Sequence, residues 1–180
     1  MFIIESVDDI KIKLLENSIQ INNFQKSITF PFSEIYKEIV TNIKTTEISS
    51  ECTLYNSIKS TNVTKWFSDK EYWNNDIADE KINEYWIIGH NGQGDLWIMD
   101  INNKVYFYDH DLEEMSKENF IELGIDFGQW LQFAYLNKEL DKIYDEDKYN
   151  KEIGKEYMQK LKEISKKLME NYPFEMDIEK

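Results

Sequence analysis

The segment 84–111 constrains the fold of this chain more than any other part of the sequence. It contains three strand-like runs, 85–89, 95–100 and 104–108, separated by reversals rich in glycine and asparagine. Strand-like runs that alternate with short turns of this composition are typical of antiparallel hairpins. The segment therefore predicts an antiparallel meander at about residues 84–109.

The two reversals differ in composition. Asn91, Gly92 and Gly94 favour a tight turn, because glycine and asparagine adopt positive φ at low cost. Asn102 and Asn103 favour a two-residue reversal in which both central residues adopt positive φ. We expect the third strand to end at residues 109–111.

Capping signals predict helices on both sides of the meander. Ser6 precedes a short apolar stripe, and Ser33 precedes a helical stripe that extends to about residue 43. Asp126, with Gln129 three residues later, predicts the start of a helix that is apolar around most of its circumference and therefore buried. Residues 120–123 are interpreted as a short apolar link before it.

The C-terminal segment carries one apolar stripe at spacings of three and four residues. The stripe predicts a single amphipathic helix at about residues 147–172, stopped by Pro173. Such a helix either packs on its own domain or pairs with a second copy. Its members are Ile153, Tyr157, Leu161, Ile164, Leu168 and Tyr172.

The weakest predictions concern the middle of the chain. The serine- and threonine-rich segment 45–64 alternates enough to suggest one or two edge strands. The acidic segment 65–84 is interpreted as a loop or short helix. With 180 residues and 41% hydrophobic content, the chain predicts one α+β domain over residues 1–180, in which a mainly antiparallel twisted sheet is flanked by N- and C-terminal helices.

Charge limits the classes of partner. The chain carries 35 acidic residues against 21 basic residues, for a net charge of −14, and every basic residue is lysine. Without arginine it lacks the planar fork that binds phosphates and bases in two places, and its net charge repels a polyanion. Nucleic acid is therefore not an expected partner. Residues 1–137 hold 23 acids and 11 lysines, so the negative charge is concentrated there.

The sequence also bears on location. No segment has the length of apolar sequence that a membrane span requires, and the start of the chain lacks the basic region of a signal peptide. Cys52 is the only cysteine, so no intrachain disulfide forms. We expect a cytoplasmic protein without a membrane partner.

The sequence contains few residues in patterns typical of catalytic sites. His90 and His110 are the only histidines, and no zinc-ligand, phosphate-loop or nucleophile-elbow spacing accompanies them. Asp109, His110 and Asp111 suggest a metal site, but adjacent residues of an extended chain point to opposite faces, and capping of a turn is the favoured role of the aspartates. We expect no catalytic residue, no cofactor and no metal. A small metal-dependent hydrolase that uses His110 remains a less favoured alternative.

Aromatic residues among acids suggest a binding surface for a cationic partner. Two groups form the predicted contact set, and the alternative is that the tryptophans are core anchors of a loop. The first group is Trp66, Asp69, Glu71, Trp73, Asp76, Asp79 and Glu80, and the second is Asp109, Asp111, Glu113 and Glu114.

The meander and its flanks carry a set of short motifs that recur together in one protein family. They are Ile88-Gly89, Gly92-Gln93-Gly94-Asp95, Asp100, Val105-Tyr106, Asp109-His110-Asp111, the helix start Phe127 to Leu131 and Phe30-Pro31-Phe32-Ser33 through Tyr36. With these motifs the chain resembles the SUKH superfamily, which includes a fungal cell-wall-assembly regulator and many bacterial immunity proteins. The likeness covers about residues 28–140, with the segment 141–180 as an extension. Its weakest part is 45–80, where the usual asparagine-glycine-glycine turn is not evident.

The resemblance implies an α+β binding protein without enzymatic activity, often one that neutralises a toxin. With the negative charge, it suggests an immunity protein that occludes the basic active surface of a toxin domain, such as a nuclease. A regulatory scaffold for protein–protein interaction is the alternative. We expect a monomer or a weak homodimer.

Overall fold

The computed structural model describes residues 2–21, 23–73 and 77–176, and the side chain of Asp79 lies outside this description. Two 3₁₀ helices, Lys70–Tyr72 and His110–Leu112, accompany the regular elements. The strands of the described residues are β1 (Thr46–Ser49), β2 (Cys52–Leu54), β3 (Tyr85–His90), β4 (Leu96–Asp100), β5 (Lys104–Tyr108) and β6 (Phe120–Asp126). The α-helices are α1 (Val7–Leu15), α2 (Glu34–Val40), α3 (Ser57–Phe67), α4 (Asp79–Ile82), α5 (Phe127–Asp145), α6 (Lys151–Ile164) and α7 (Lys166–Glu170).

The six strands form one sheet in which spatial order follows chain order. Every neighbouring pair is antiparallel, and β3, β4 and β5 form the centre. The predicted meander and the α+β class are therefore confirmed. β1 and β2 lie in the segment where one or two strands are predicted, whereas β6 is not predicted and extends the sheet beyond β5.

Helices and loops cover both faces of the sheet. The first face packs against α1, α2, α5, α6 and α7 around the fully buried rings of Trp97, Trp130 and Tyr157. The second face packs against α3, α4 and the segments around Trp73 and Met115. All five residues of β4 are buried, as expected for a strand covered on both sides.

Side-chain caps start the helices as predicted. The Ser6 and Ser33 hydroxyls accept hydrogen bonds from backbone N–H groups of the first turns of α1 and α2. At α5 the Asp126 carboxylate accepts from the N–H of Gln129, and the Gln129 side chain accepts from the N–H of Asp126. This reciprocal capping box fixes the point at which β6 becomes α5.

The reversal between β4 and β5 differs from the prediction. Its loop has three residues, and among the described non-glycine residues only Asn103, Glu113 and Asp147 have positive φ. Asn102 therefore does not form a primed two-residue turn with Asn103. The Asp100 carboxylate instead accepts from the N–H groups of Asn102 and Lys104, which stabilises the longer loop.

Two further segments depart from the sequence interpretation. Residues 120–123 are not a link but the first half of β6, which pairs with β5. The second half of the proposed strand region 45–64 is helix α3, because the Asn56 side chain caps the N–H of Lys59. Only β1 and β2 remain as strands there, and β2 lies inside the sheet rather than at its edge.

The C-terminal stripe is buried on the chain's own core, but it spans two helices rather than one. Ser165 has an extended backbone that separates α6 from α7. Its hydroxyl caps α7 by accepting from Leu168 N–H and also contacts the Leu123 carbonyl of β6. Tyr157, Leu161 and Leu168 are fully buried, so this segment completes the core rather than extending beyond it.

Helix α3 is held on the second face by hydrogen bonds to one residue of β3. The Ser60 hydroxyl donates to the Ile87 carbonyl at 2.6 Å, and the Thr64 hydroxyl accepts from the Ile87 N–H at 2.9 Å. These two contacts, one turn apart, fix the rotation of α3. Its C-terminal residues are therefore placed at a defined position on the surface.

Candidate binding surface

Trp66 is the most exposed tryptophan of the chain's described part. It lies at the end of α3, and 62% of its surface is accessible. Its ring contacts those of Phe67 and Tyr72, with centroid distances of 5.2 and 5.7 Å. A large aromatic ring held by two others loses little freedom on binding, so it suits an interface anchor.

Trp73 has a different environment and is a core residue. It is 5% exposed, its ring N–H donates to the Phe67 carbonyl at 2.6 Å, and it packs against Phe120 and Tyr85. The prediction that Trp73 belongs to the contact surface is therefore wrong. Of the two alternatives for the tryptophans, exposure on a surface applies to Trp66, and anchoring in the core applies to Trp73.

The acidic residues after β5 lie on a compact 3₁₀ turn. The Asp109 carboxylate accepts from the Asp111 N–H at 2.9 Å and so caps the turn. Asp111, Glu113 and Glu114 are exposed, and Glu113 takes the left-handed conformation that ends the turn. The predicted capping role of Asp109 is confirmed, while its neighbours present their carboxylates to solvent.

A buried hydrogen-bond clasp joins this turn to the sheet. The Asp95 carboxylate, in a residue 5% exposed, accepts from the His110 N–H at 3.1 Å and contacts the His110 ring nitrogen Nδ1 at 2.6 Å. Its other oxygen accepts from the Asn91 amide at 2.8 Å. Asn91 also accepts from three N–H groups of its own turn. The sequence interpretation identified the Asn-Gly turn but missed the clasp, although Asn91 and Asp95 stand four residues apart around it.

The clasp shifts the acidities of both partners. Burial raises the pKa of Asp95, but the hydrogen bonds from His110 and Asn91 outweigh burial and leave the pKa below its ordinary value. The hydrogen bond to Asp95 raises the pKa of His110 above its ordinary value. Both shifts favour the pair of charged forms, so the clasp is strongest when His110 is protonated.

Backbone contacts bring the two predicted acidic groups together. Trp73 and Met115 form a parallel bridge, and the Met115 N–H donates to the Tyr72 carbonyl at 2.7 Å. Segment 69–73 is thereby fixed beside segment 109–115. We define the acidic surface as Trp66 with the carboxylates of Asp69, Glu71, Asp109, Asp111, Glu113 and Glu114.

The charge of this surface is largely uncompensated. Among the salt bridges of the described residues, no lysine pairs with any of its six carboxylates, and the 109–114 segment contains no lysine. His110 is a cationic contact of the surface when it is protonated, and its Nε2 lies 3.4 Å from an Asp111 carboxylate oxygen. The C-terminal helices differ, because Glu152, Glu163 and Glu170 each pair with a lysine on the same helix. Lys70 lies between Asp69 and Glu71, so the field is centred on 109–114.

Besides Trp73, three predicted contact residues lie outside this definition. Glu80 is exposed on α4, which buries Ile82 against the same face of the sheet. Asp76 and the side chain of Asp79 are not among the described residues.

One cluster of side chains bears on the alternative of a metal-dependent hydrolase. Asp95, Asp109 and His110 offer ligand atoms that lie within 4.8 Å of one another. However, both oxygens of Asp95 already accept hydrogen bonds within the clasp, and Asp109 caps its own turn. These bonds account for the arrangement as a structural one.

No helix in the described ranges has the length and apolar character needed to cross a membrane. Comparisons with family models, with curated proteins and with solved structures found no match to this chain.

Proposed function

We propose that this protein is a cytoplasmic bacterial immunity protein that neutralises a basic toxin domain, a nuclease, by covering its active surface. The observation that carries the proposal is the acidic surface, whose six carboxylates lie on two adjoining segments, one of which follows the exposed Trp66, and have no lysine partner in the described structure. The protein acts by binding and performs no chemistry.

Electrostatics supports this choice of partner. A nuclease attracts a polyanionic substrate, so the surface around its active site is cationic. A rigid acidic surface is attracted to the same place and competes with the nucleic acid. The absence of arginine and the net charge of −14 make the reverse arrangement, a protein that binds nucleic acid itself, unfavourable.

The SUKH resemblance supports the same function independently of charge. The resemblance lies in the meander and in the starts of α2 and α5, and the segment 84–111 that contains the meander includes Asp95 and His110, which hold the acidic turn on the sheet. Its residues are mostly structural, so the partner surface rests on charge and exposure rather than on the resemblance.

The experiment is co-expression with the polypeptide encoded by the adjacent reading frame. We expect a complex that survives purification at low salt, and we expect the bound polypeptide to lose nuclease activity on a plasmid substrate. A variant with Asp111, Glu113 and Glu114 each changed to lysine is expected to restore cleavage. Absence of a complex at low salt, or cleavage that continues inside a stable complex, would contradict the proposal.

A further inference from the structure

A groove whose described lining contains no acidic residue lies beside the acidic surface. It runs between the irregular segment 23–30 and α3, and it comprises two cavities of about 610 and 260 Å³ that share Gln25 and Thr61. Its α3 wall extends from Ser57 to Ser68, a rise of roughly 17 Å at 1.5 Å per residue. It can accommodate an extended segment of several residues.

The lining has neutral hydrogen-bonding character. Gln25, Ser27 and Thr29 line the irregular wall, and Thr61 lies on the helical wall opposite them. Among the described residues, Lys65 is the only charged one that lines either cavity. In a chain with 35 acidic residues, a groove of this size without a carboxylate selects against a cationic occupant.

Aromatic residues form the inner end of the groove. Phe30, Tyr85 and Trp86 line it, and the Phe30 and Trp86 rings lie 5.6 Å apart. Trp86 is 6% exposed, and its ring N–H is held by Ser60 and Tyr36, so this end of the groove is rigid. A preformed pocket of this kind suits an apolar or aromatic side chain carried on a polar backbone.

The groove and the acidic surface adjoin at the C-terminal end of α3. Lys65 and Ser68 line the groove at the C-terminal end of α3, and Trp66 and Asp69 of the acidic surface come from the same turn. A partner held on one of these surfaces therefore lies next to the other.

The two surfaces suit different parts of binding. Exposed charges accelerate association but contribute little to holding a complex, because water and salt screen them. Slow dissociation depends on a few side chains that are buried in preformed pockets near the charged rim. The acidic surface provides the first property, and the neutral groove has the shape and lining for the second.

We infer that the groove receives an extended, uncharged segment of the same basic partner, with one apolar or aromatic side chain packed against Tyr85 and Trp86. This inference rests on the proposed function, since it concerns the same partner. The acidic surface attracts the partner, and the groove holds it.

The test compares association and dissociation rates for variants that fill the groove. Thr61→Trp and Thr29→Trp each place a large ring between the walls, one from each side, and Gln159→Trp adds the same ring at an exposed position of α6 on the far face. The probe is the polypeptide of the adjacent reading frame, measured by surface plasmon resonance after thermal melts confirm folding.

We expect the groove variants to dissociate at least tenfold faster with association rates within twofold of wild type, and Gln159→Trp to change neither rate. Unchanged dissociation in both groove variants would overturn the inference while leaving the proposed function intact, provided that the acidic-surface variant still associates slowly. Absence of any complex would overturn both.

Discussion

Replacing Asp95 with asparagine is expected to break the clasp that holds the acidic turn on the sheet. The carboxylate accepts from His110 through one oxygen and from Asn91 through the other. Asparagine has the same shape but only one accepting oxygen. Whichever way the amide is turned, its NH₂ group faces another donor, and a buried donor loses its partner.

The magnitude follows from that single lost acceptor. A buried donor without a partner costs about 1–3 kcal/mol, so we expect Asp95→Asn to lower the free energy of unfolding by about 2 kcal/mol. For a domain of this size that corresponds to a decrease in Tm of roughly 4–8 °C. Circular dichroism during thermal and urea unfolding measures it.

Asp111→Asn is the matched control, because it also removes one negative charge that contacts His110, but at a side chain that is 85% exposed. We expect the control to change stability by less than about 0.5 kcal/mol. If Asp95→Asn were no more destabilising than Asp111→Asn, the clasp would not be the feature that fixes the turn.

Three further predictions concern stability. The pKa of His110 is raised above 6.5 in the folded protein, so its stabilising contribution is complete below about pH 6.5 and is lost as pH rises through the folded pKa. Urea unfolding between pH 5 and 9 should show this loss for the wild type, and His110→Gln should lack it. Gly89→Ala places a Cβ 2.2 Å from a carbonyl oxygen of β2 and should cost about 3 kcal/mol or more, whereas Gly92→Ala, at 3.4 Å from its nearest atom, should cost less than about 1 kcal/mol. Equal losses would refute the close packing of β2 on β3. Trp73→Ala should destabilise by about 3–5 kcal/mol and Trp66→Ala by less than about 0.5 kcal/mol, and the opposite order in the same assay would contradict their assigned environments.

The parts of the fold that sequence predicts are those fixed by local chemistry. Ser6, Ser33 and Asp126 each form a helix cap with neighbours three residues away, so the chain segment alone contains the signal. The meander is equally local, because each strand pairs with the next across a short turn. Such features need no knowledge of the remaining chain.

The predictions fail where contacts between residues far apart in the chain determine the structure. Ser165 interrupts an unbroken apolar stripe because its hydroxyl contacts the Leu123 carbonyl, 42 residues away. Gly89 was interpreted as a strand end, but it pairs with Leu54 of β2 within β3, where the Thr53 carbonyl leaves no room for a side chain. Neither contact can be predicted from the periodicity of the local sequence.

The candidate surface shows the same division. Composition predicts acids around aromatics at 66–73, but burial of Trp73 depends on Phe120 in β6, and exposure of Trp66 depends on how Ile87 fixes α3. The neutral groove has no sequence signature, because its two walls are separated by about 30 residues and contain common polar side chains.

The most direct test of the central claim is the association rate with the polypeptide of the adjacent reading frame, measured across salt concentrations. The test variant changes Asp111, Glu113 and Glu114 to lysine. The control variant changes Glu152, Glu163 and Glu170 to lysine, so both variants alter the net charge by the same amount. If the acidic surface attracts the partner, the test variant should associate at least tenfold more slowly at low salt and lose most of the salt dependence, whereas the control should stay within about threefold of wild type. Equal slowing in both variants would mean that net charge alone governs the encounter, and it would contradict a localised binding surface.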